Sequence, residues 1–132
     1  MMKPIHVSGK RKRAVARVTL KNGTGKITIN NLNLDYYEPK LARMKIKEPL
    51  LLAKDITDRV DIEVNVFGGG YMSQADAARL AIGRALIKYN SKLKDLFLNY
   101  DRQLLVADVR RKECSKPNSR GNARSKRQKS YR

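Results

Sequence analysis

Val60-Asp61-Ile62-Glu63-Val64-Asn65-Val66-Phe67-Gly68-Gly69-Gly70-Tyr71-Met72-Ser73-Gln74 is the stretch on which the fold turns. Val60, Ile62, Val64 and Val66 point one way, and Asp61, Glu63 and Asn65 the other. That period of two marks a half-buried strand. Three glycines close it, a run that no regular element readily carries. Ser73 is then expected to cap a helix, with Asp76 three residues on approximating a capping box. From Gln74 to about Tyr89, rotation at about 100° per residue gathers Ala75, Ala78, Ile82, Ala85, Leu86 and Tyr89 into one stripe. Leu80 and Ile87 form a second, smaller strip. Five alanines and Gly83 make a thin helix that can approach a sheet closely and be buried on two sides.

Outward from this strand and helix, the chain reads as a small domain mixing strands and helices. Ala14, Ala16, Val18 and Leu20 alternate with Val15, Arg17, Thr19 and Lys21, which predicts a second half-buried strand. Asn22-Gly23-Thr24-Gly25 tolerates positive φ, and Lys26 to Asn30 resumes with Ile27 and Ile29 on one face, a hairpin signal. Leu41 to Lys54 reads as two short helical pieces separated at Pro49. Ser91 can cap another helix, with Leu93, Leu96, Phe97 and Tyr100 spaced for burial. Leu104 to Val109 fits a last strand.

The whole chain has 132 residues, one ordinary domain. Apolar residues make up 41%, enough to fold, and aromatic ones only 6%, so the core is mainly aliphatic. The longest purely apolar runs, Leu50 to Ala53 and Leu104 to Ala107, fall far below the roughly 20 residues of a membrane helix. The start of the chain lacks the roughly 7–15-residue apolar stretch of a secretory signal, so an intracellular protein is expected. With one cysteine, Cys114, and one histidine, His6, neither an internal disulfide nor a tetrahedral Cys/His zinc site can form within this chain.

Thirty Lys and Arg against twelve Asp and Glu give a net charge of +18. Its distribution says more than its size. Residues 1–17 carry six basic groups and no acid, and residues 110–132 carry ten against the single Glu113. Such a pattern repels itself in a core and suits phosphates. Nucleic acid is therefore the first partner expected, with an acidic membrane and acidic proteins behind it. Beyond Arg110 the apolar pattern stops, so residues 1–109 are expected to form the domain and 110–132 an extended basic tail. Within that tail, residues 114–132 alone cannot offset their ordering entropy and are expected to be disordered. Stretched out, the whole tail would reach roughly 75–80 Å at about 3.3–3.6 Å per residue.

Each chemical motif has a plainer reading beside the sharp one. Gly68, Gly69 and Gly70 before a helix offer backbone N–H groups to a phosphate; equally, they make a tight strand-to-helix turn. Neither a Walker pattern nor a dinucleotide fingerprint is present. Cations beside Cys114 favour a thiolate, yet its sole candidate imidazole base, His6, is distant in sequence. Asp55, Asp58, Asp61 and Glu63 read as a solvated strand face. Lys10-Arg11-Lys12-Arg13 reads as a nuclear localisation signal, a solvated cluster or a polyanion-binding arm. Arg17 and a second basic segment beyond the domain favour the arm, and RNA buried on several sides over a straight duplex.

Taken in order, these motifs resemble the universal small-subunit ribosomal protein family numbered nine in bacteria and sixteen in eukaryotic naming. Gly9-Lys10-Arg11-Lys12-Arg13-Ala14-Val15-Ala16-Arg17-Val18 is similar to that family's approach to its first long strand. Gly23 to Asn30 matches its hairpin, and Gly68-Gly69-Gly70 through Ser73-Gln74 and Gly83-Arg84-Ala85-Leu86 its most distinctive signature. Asp108-Val109-Arg110 opens the tail, although Val109 stands where proline is common. Gln128-Lys129-Ser130-Tyr131-Arg132 closes it in archaeal or eukaryotic style, and the short N-terminal segment points to the archaeal type.

The resemblance implies an α+β, two-layer domain with about four strands packed on helices, in the head of the small subunit. It implies a cytoplasmic, cofactor-free structural component with no membrane and no small-molecule substrate. Its partners would be small-subunit rRNA of the 3′ major domain, neighbouring head proteins and peptidyl-site tRNA. The rRNA contacts fall on Lys10, Arg11, Lys12, Arg13, Arg17, Arg110, Arg111, Lys112, Lys116, Arg120, Arg124 and Lys126. The tRNA contacts fall on Arg127, Lys129, Ser130, Tyr131 and Arg132. Two competitors remain: a protein that compacts nucleic acid without specificity, and a small nucleotide-binding enzyme using the glycine turn.

Overall fold

A computed structural model gives the fold over residues 3–117 and residue 123. The strands are β1 (Ile5–Arg11), β2 (Ala14–Asn22), β3 (Ile27–Ile29), β4 (Leu32–Asn33) and β5 (Val60–Phe67). The helices are α1 (Lys40–Leu52), α2 (Lys54–Thr57), α3 (Tyr71–Tyr89) and α4 (Leu93–Tyr100), with short 3-10 turns at Leu34–Tyr36 and Arg102–Leu104. One sheet runs β1-β2-β5-β3-β4, all antiparallel except β3 with β5. The α+β class is as expected; the sheet has five strands rather than about four, the edge strand β4 being two residues long.

The apolar faces read from the sequence build the core. Ala14, Ala16, Val18 and Leu20 of β2 and Val60, Ile62, Val64 and Val66 of β5 are buried against Ala75, Ala78, Ile82, Ala85 and Leu86 of α3. Leu80 is buried too, so α3 is covered on two sides as expected. Its small residues let β1 run directly across it. A Cβ on Gly9 would stand 2.5 Å from the Ala77 carbonyl oxygen and 2.7 Å from the Ala81 nitrogen, closer than real Cβ atoms approach backbone. Among the described residues no helix covers the sheet's other face; His6, Ser8, Lys10, Arg17, Lys21, Glu63, Asn65 and Phe67 are exposed on it.

Several local expectations are corrected. Residues 22–30 do not form a hairpin. β2 pairs instead with β1, through a tight turn at Lys12, whose φ is +54°. β5 lies between β2 and β3. A strand's alternation states which face is buried but not which strand lies beside it. The Asp61 carboxylate on β5 accepts the Thr24 and Lys26 N–H groups, each at 3.0 Å, and so holds the crossing loop on the intervening strand. Far from being a merely solvated face residue, it is held below the usual carboxylate range, chiefly by the Lys26 N–H and then that of Thr24.

Helix α1 runs through Pro49, whose ring is buried, and the break falls later at Ala53. Proline removes one helical hydrogen bond, but here the ring fills core space. Helix α3 begins at Tyr71 after Gly70, with no side-chain cap. Ser73 sits inside its first turn, and Asp76 is drawn away by Lys45 at 3.2 Å. In α4 only Phe97 is buried; Leu96 and Tyr100 are exposed. Asn90, not Ser91, accepts the Lys92 N–H before that helix. Leu104 to Val109 forms no strand: Asp101 caps the 3-10 turn at Arg102–Leu104, and an irregular segment follows.

Candidate nucleic-acid interface

The basic N-terminal cluster and the start of the basic C-terminal segment, expected to be separate extensions, meet. The β1–β2 turn presents Lys12 and Arg13, both exposed, and the segment after the last 3-10 turn passes beside it. Arg111 Nη1 donates to the Lys12 carbonyl oxygen at 2.9 Å, and Arg11 Nη1 reaches the Arg110 carbonyl oxygen at 3.5 Å. Arg84 on α3 ties the same segment down, donating to the Leu105 carbonyl at 3.1 Å and to that of Ser8 on β1 at 3.2 Å.

Gly68, Gly69 and Gly70 join this cluster. Gly68 and Gly69 have φ of +78° and +63°, a region that side chains disfavour. A Cβ on Gly68 would lie 2.6 Å from the Arg13 carbonyl oxygen. The chain therefore turns from β5 into α3 directly against the basic hairpin. Gln74 Nε2 donates to the Gly68 carbonyl at 3.1 Å and fixes the turn. Lys12, Arg13, Gly69, Gly70, Ser73 and Arg110 to Ser115 line one depression. Cys114 is exposed at its wall. Cationic side chains, backbone and the α3 N-terminus thus surround a single concave surface, an arrangement suited to phosphate groups.

The candidate residues divide by what they already hold. The Arg11 guanidinium is mostly covered and faces Asp108 at 3.4 Å and Asp76 at 3.9 Å, so it serves the domain. Arg17 lies on the open sheet face, its guanidinium 5.3 Å from the Phe67 ring centre. Arg110 grips Asp108 at 2.7 Å but stays largely exposed. The Arg110 side chain and N–H, with Arg11 beyond them, hold Asp108 far below the ordinary carboxylate range. Lys10, Lys12, Arg13, Arg111 and Lys112 are exposed, and Lys116 pairs with Glu113 at 3.2 Å. Arg120, Arg124, Lys126, Arg127, Lys129, Ser130, Tyr131 and Arg132 lie outside the described residues.

Sequence reasoning missed the clamp. Asp76, Arg84 and Asp108 position the basic segment, and nothing local marks them. The one available signal was Asp108, an acid two residues before the basic run Arg110-Arg111-Lys112. Behind them Arg79 joins Glu48 at 2.6 Å and Asp101 at 3.0 Å, bracing α3 against α1 and the last turn. His6 meets Thr19, with Nδ1 3.1 Å from its hydroxyl. Among the described residues no three His, Cys, Asp or Glu side chains gather as a metal would require, and no helix is long and apolar enough to cross a membrane.

The fold and this surface define a small basic α+β protein with a cationic tip, built jointly from the β1–β2 turn and the segment Arg110 to Ser115. Residues 9–132 match the family described as ribosomal protein S9/S16. The chain is 51% identical to the small ribosomal subunit protein uS9 of Methanococcus vannielii over 134 aligned residues, covering 99% of this chain and 100% of that protein. It is 49% identical to the proteins of the same name from Methanococcus maripaludis and Methanothrix thermoacetophila, with the same coverage. The chain belongs to the ribosomal protein S9/S16 family, in its archaeal form. It is a structural ribosomal protein rather than an enzyme.

Proposed function

We propose that this chain is built into the head of the cytoplasmic small ribosomal subunit, where its cationic tip binds the 3′ major domain of the rRNA. Neighbouring head proteins would be its other partners. Residues 1–109 act as the anchored domain, and residues 110–132 as a tail that follows rRNA towards the peptidyl-site tRNA. The observation that carries this reading is the meeting of Lys12 and Arg13 with Arg110 to Lys112 at the glycine turn, held by the Arg111–Lys12 hydrogen bond. A tail that starts inside an RNA-facing cluster is delivered to RNA from its first residue.

Lys10, Lys12, Arg13, Arg110, Arg111, Lys112 and Lys116 supply phosphate contacts, and Gly69 and Gly70 offer backbone beside them. Arginine gives a bidentate fork to phosphate and lysine a point charge. Arg120, Arg124 and Lys126 continue the rRNA contacts; Arg127, Lys129, Ser130, Tyr131 and Arg132 make those to tRNA. Binding of the full chain to a 3′ major domain transcript and to random duplex DNA, across a salt series, tests this. Preference for the transcript, with affinity falling about 10³–10⁵-fold between 50 and 200 mM salt, is expected if six to ten phosphates are neutralised. Equal affinity for the duplex would instead identify a non-specific compacting protein.

A further inference from the structure

The open face of the sheet changes character along its length. Asp61 and Glu63 on β5 stand opposite Lys21 and Thr19 on β2, at the end away from the cationic tip. Towards the tip the acids stop. Asn65 and Phe67 follow on β5, Arg17 and Val15 on β2, and Ser8 and Lys10 on β1, all on the same face by register. Phe67 is 49% exposed although it is aromatic, and its covering partner within the sheet is the Arg17 guanidinium. It immediately precedes Gly68, the first residue of the glycine turn.

We propose that Phe67 and Arg17 form a stacking platform for unpaired nucleobases of the same RNA whose phosphates lie on the cationic tip. The inference rests on the RNA-binding reading above and names a second chemistry for it. An exposed ring accepts any base face, and a guanidinium already stacked on that ring extends the planar surface and adds positive charge. Ser8 and Asn65, flanking Arg17 by register, carry hydroxyl and amide groups that suit base edges. The occupant is unpaired RNA rather than a duplex, because bases must be splayed from their stack to reach a flat sheet. Lys10 and Arg17, with no acid among the open-face strand positions at this end, fit the phosphates that join those bases.

The test is binding of the full chain to the 3′ major domain transcript, comparing Phe67→Leu and Phe67→Tyr with the parent across a salt series. Phe67→Leu keeps an apolar side chain but removes the ring. It should weaken binding about fivefold or more with the salt slope unchanged, since no charge is lost. Phe67→Tyr should bind as the parent does, and thermal unfolding of all three should coincide. Unchanged affinity in Phe67→Leu overturns the platform while the parent's steep salt slope leaves the phosphate-binding reading standing. Unchanged RNA affinity with poorer incorporation into subunits also overturns it, assigning Phe67 to a protein contact. Loss of transcript preference in the parent itself removes both.

Discussion

Arg11 and Asp108 stand 3.4 Å apart, one at the end of the first strand and the other where the folded domain gives way to the basic tail. Both side chains are mostly covered. The ion pair therefore sets where the tail leaves the domain. Replacing Asp108→Asn removes the negative charge that Arg11 and Arg110 face and leaves Arg11 only the more distant Asp76 carboxylate at 3.9 Å. Tryptic cleavage after Arg110 and Arg111 should speed up severalfold, while the thermal transition falls only modestly. An unchanged cleavage rate would mean that Arg84 and the Arg111–Lys12 hydrogen bond hold the segment without the ion pair.

Exposed and covered arginines should separate in RNA binding. Arg13→Gln and Arg111→Gln should each reduce the salt slope of binding to the rRNA transcript by about 0.7–0.9. Arg11→Gln, whose guanidinium is committed to Asp76 and Asp108, should instead show up in urea unfolding. If Arg11→Gln changes the slope and leaves stability alone, the division drawn from burial is wrong.

Gly9→Ala tests the closeness of β1 to α3. The added methyl meets backbone atoms of Ala77 and Ala81, which cannot swing aside as a side chain would. A loss of about 1–3 kcal/mol is expected in urea denaturation. Wild-type stability would show that the strand can slide away without loss.

Acid should destabilise the domain in a specific way. Asp61, Asp101 and Asp108 are all held below their ordinary range, the first two chiefly by backbone N–H groups and the third by Arg110. A carboxylate lowered in the folded state contributes stability above its unfolded pKa, near about 3.9, and loses it as pH falls through the folded value. Melting temperatures should be level around neutrality and drop below about pH 4. Asp61→Asn should be less stable at neutral pH and show a shallower acid drop.

Removing Ser130 to Arg132 should leave thermal stability and incorporation into small subunits unchanged, because the core among the described residues is complete by Leu104. Retention of peptidyl-site tRNA by reconstituted subunits should weaken. A lower melting temperature would instead show that these residues pack on their own domain.

What the sequence made legible was periodicity, and what it hid was partnership. The alternation in Val60 to Val66 and the stripe on α3 identified core residues correctly, because burial of one face imposes a period whatever the neighbours are. The same alternation at Ile27 and Ile29 suggested a local hairpin, whereas the strand pairs in parallel with β5. Pairing depends on residues far away, such as Asp61 holding Thr24 and Lys26. The basic residues of the site were equally visible, but as two clusters. That they share one depression depends on Arg84 and Asp108, whose partners lie on β1 and beyond the last turn.

The joining of Lys12 to Arg111 also sets an order of events. A ribosome makes the chain from its first residue onward, so the β1–β2 hairpin can exist long before its arginine partner has been synthesised. The depression is complete only when nearly the whole domain has emerged. A truncated chain therefore displays part of the charge without the clamp, and the finished concave surface reports that translation of its own message has passed residue 115.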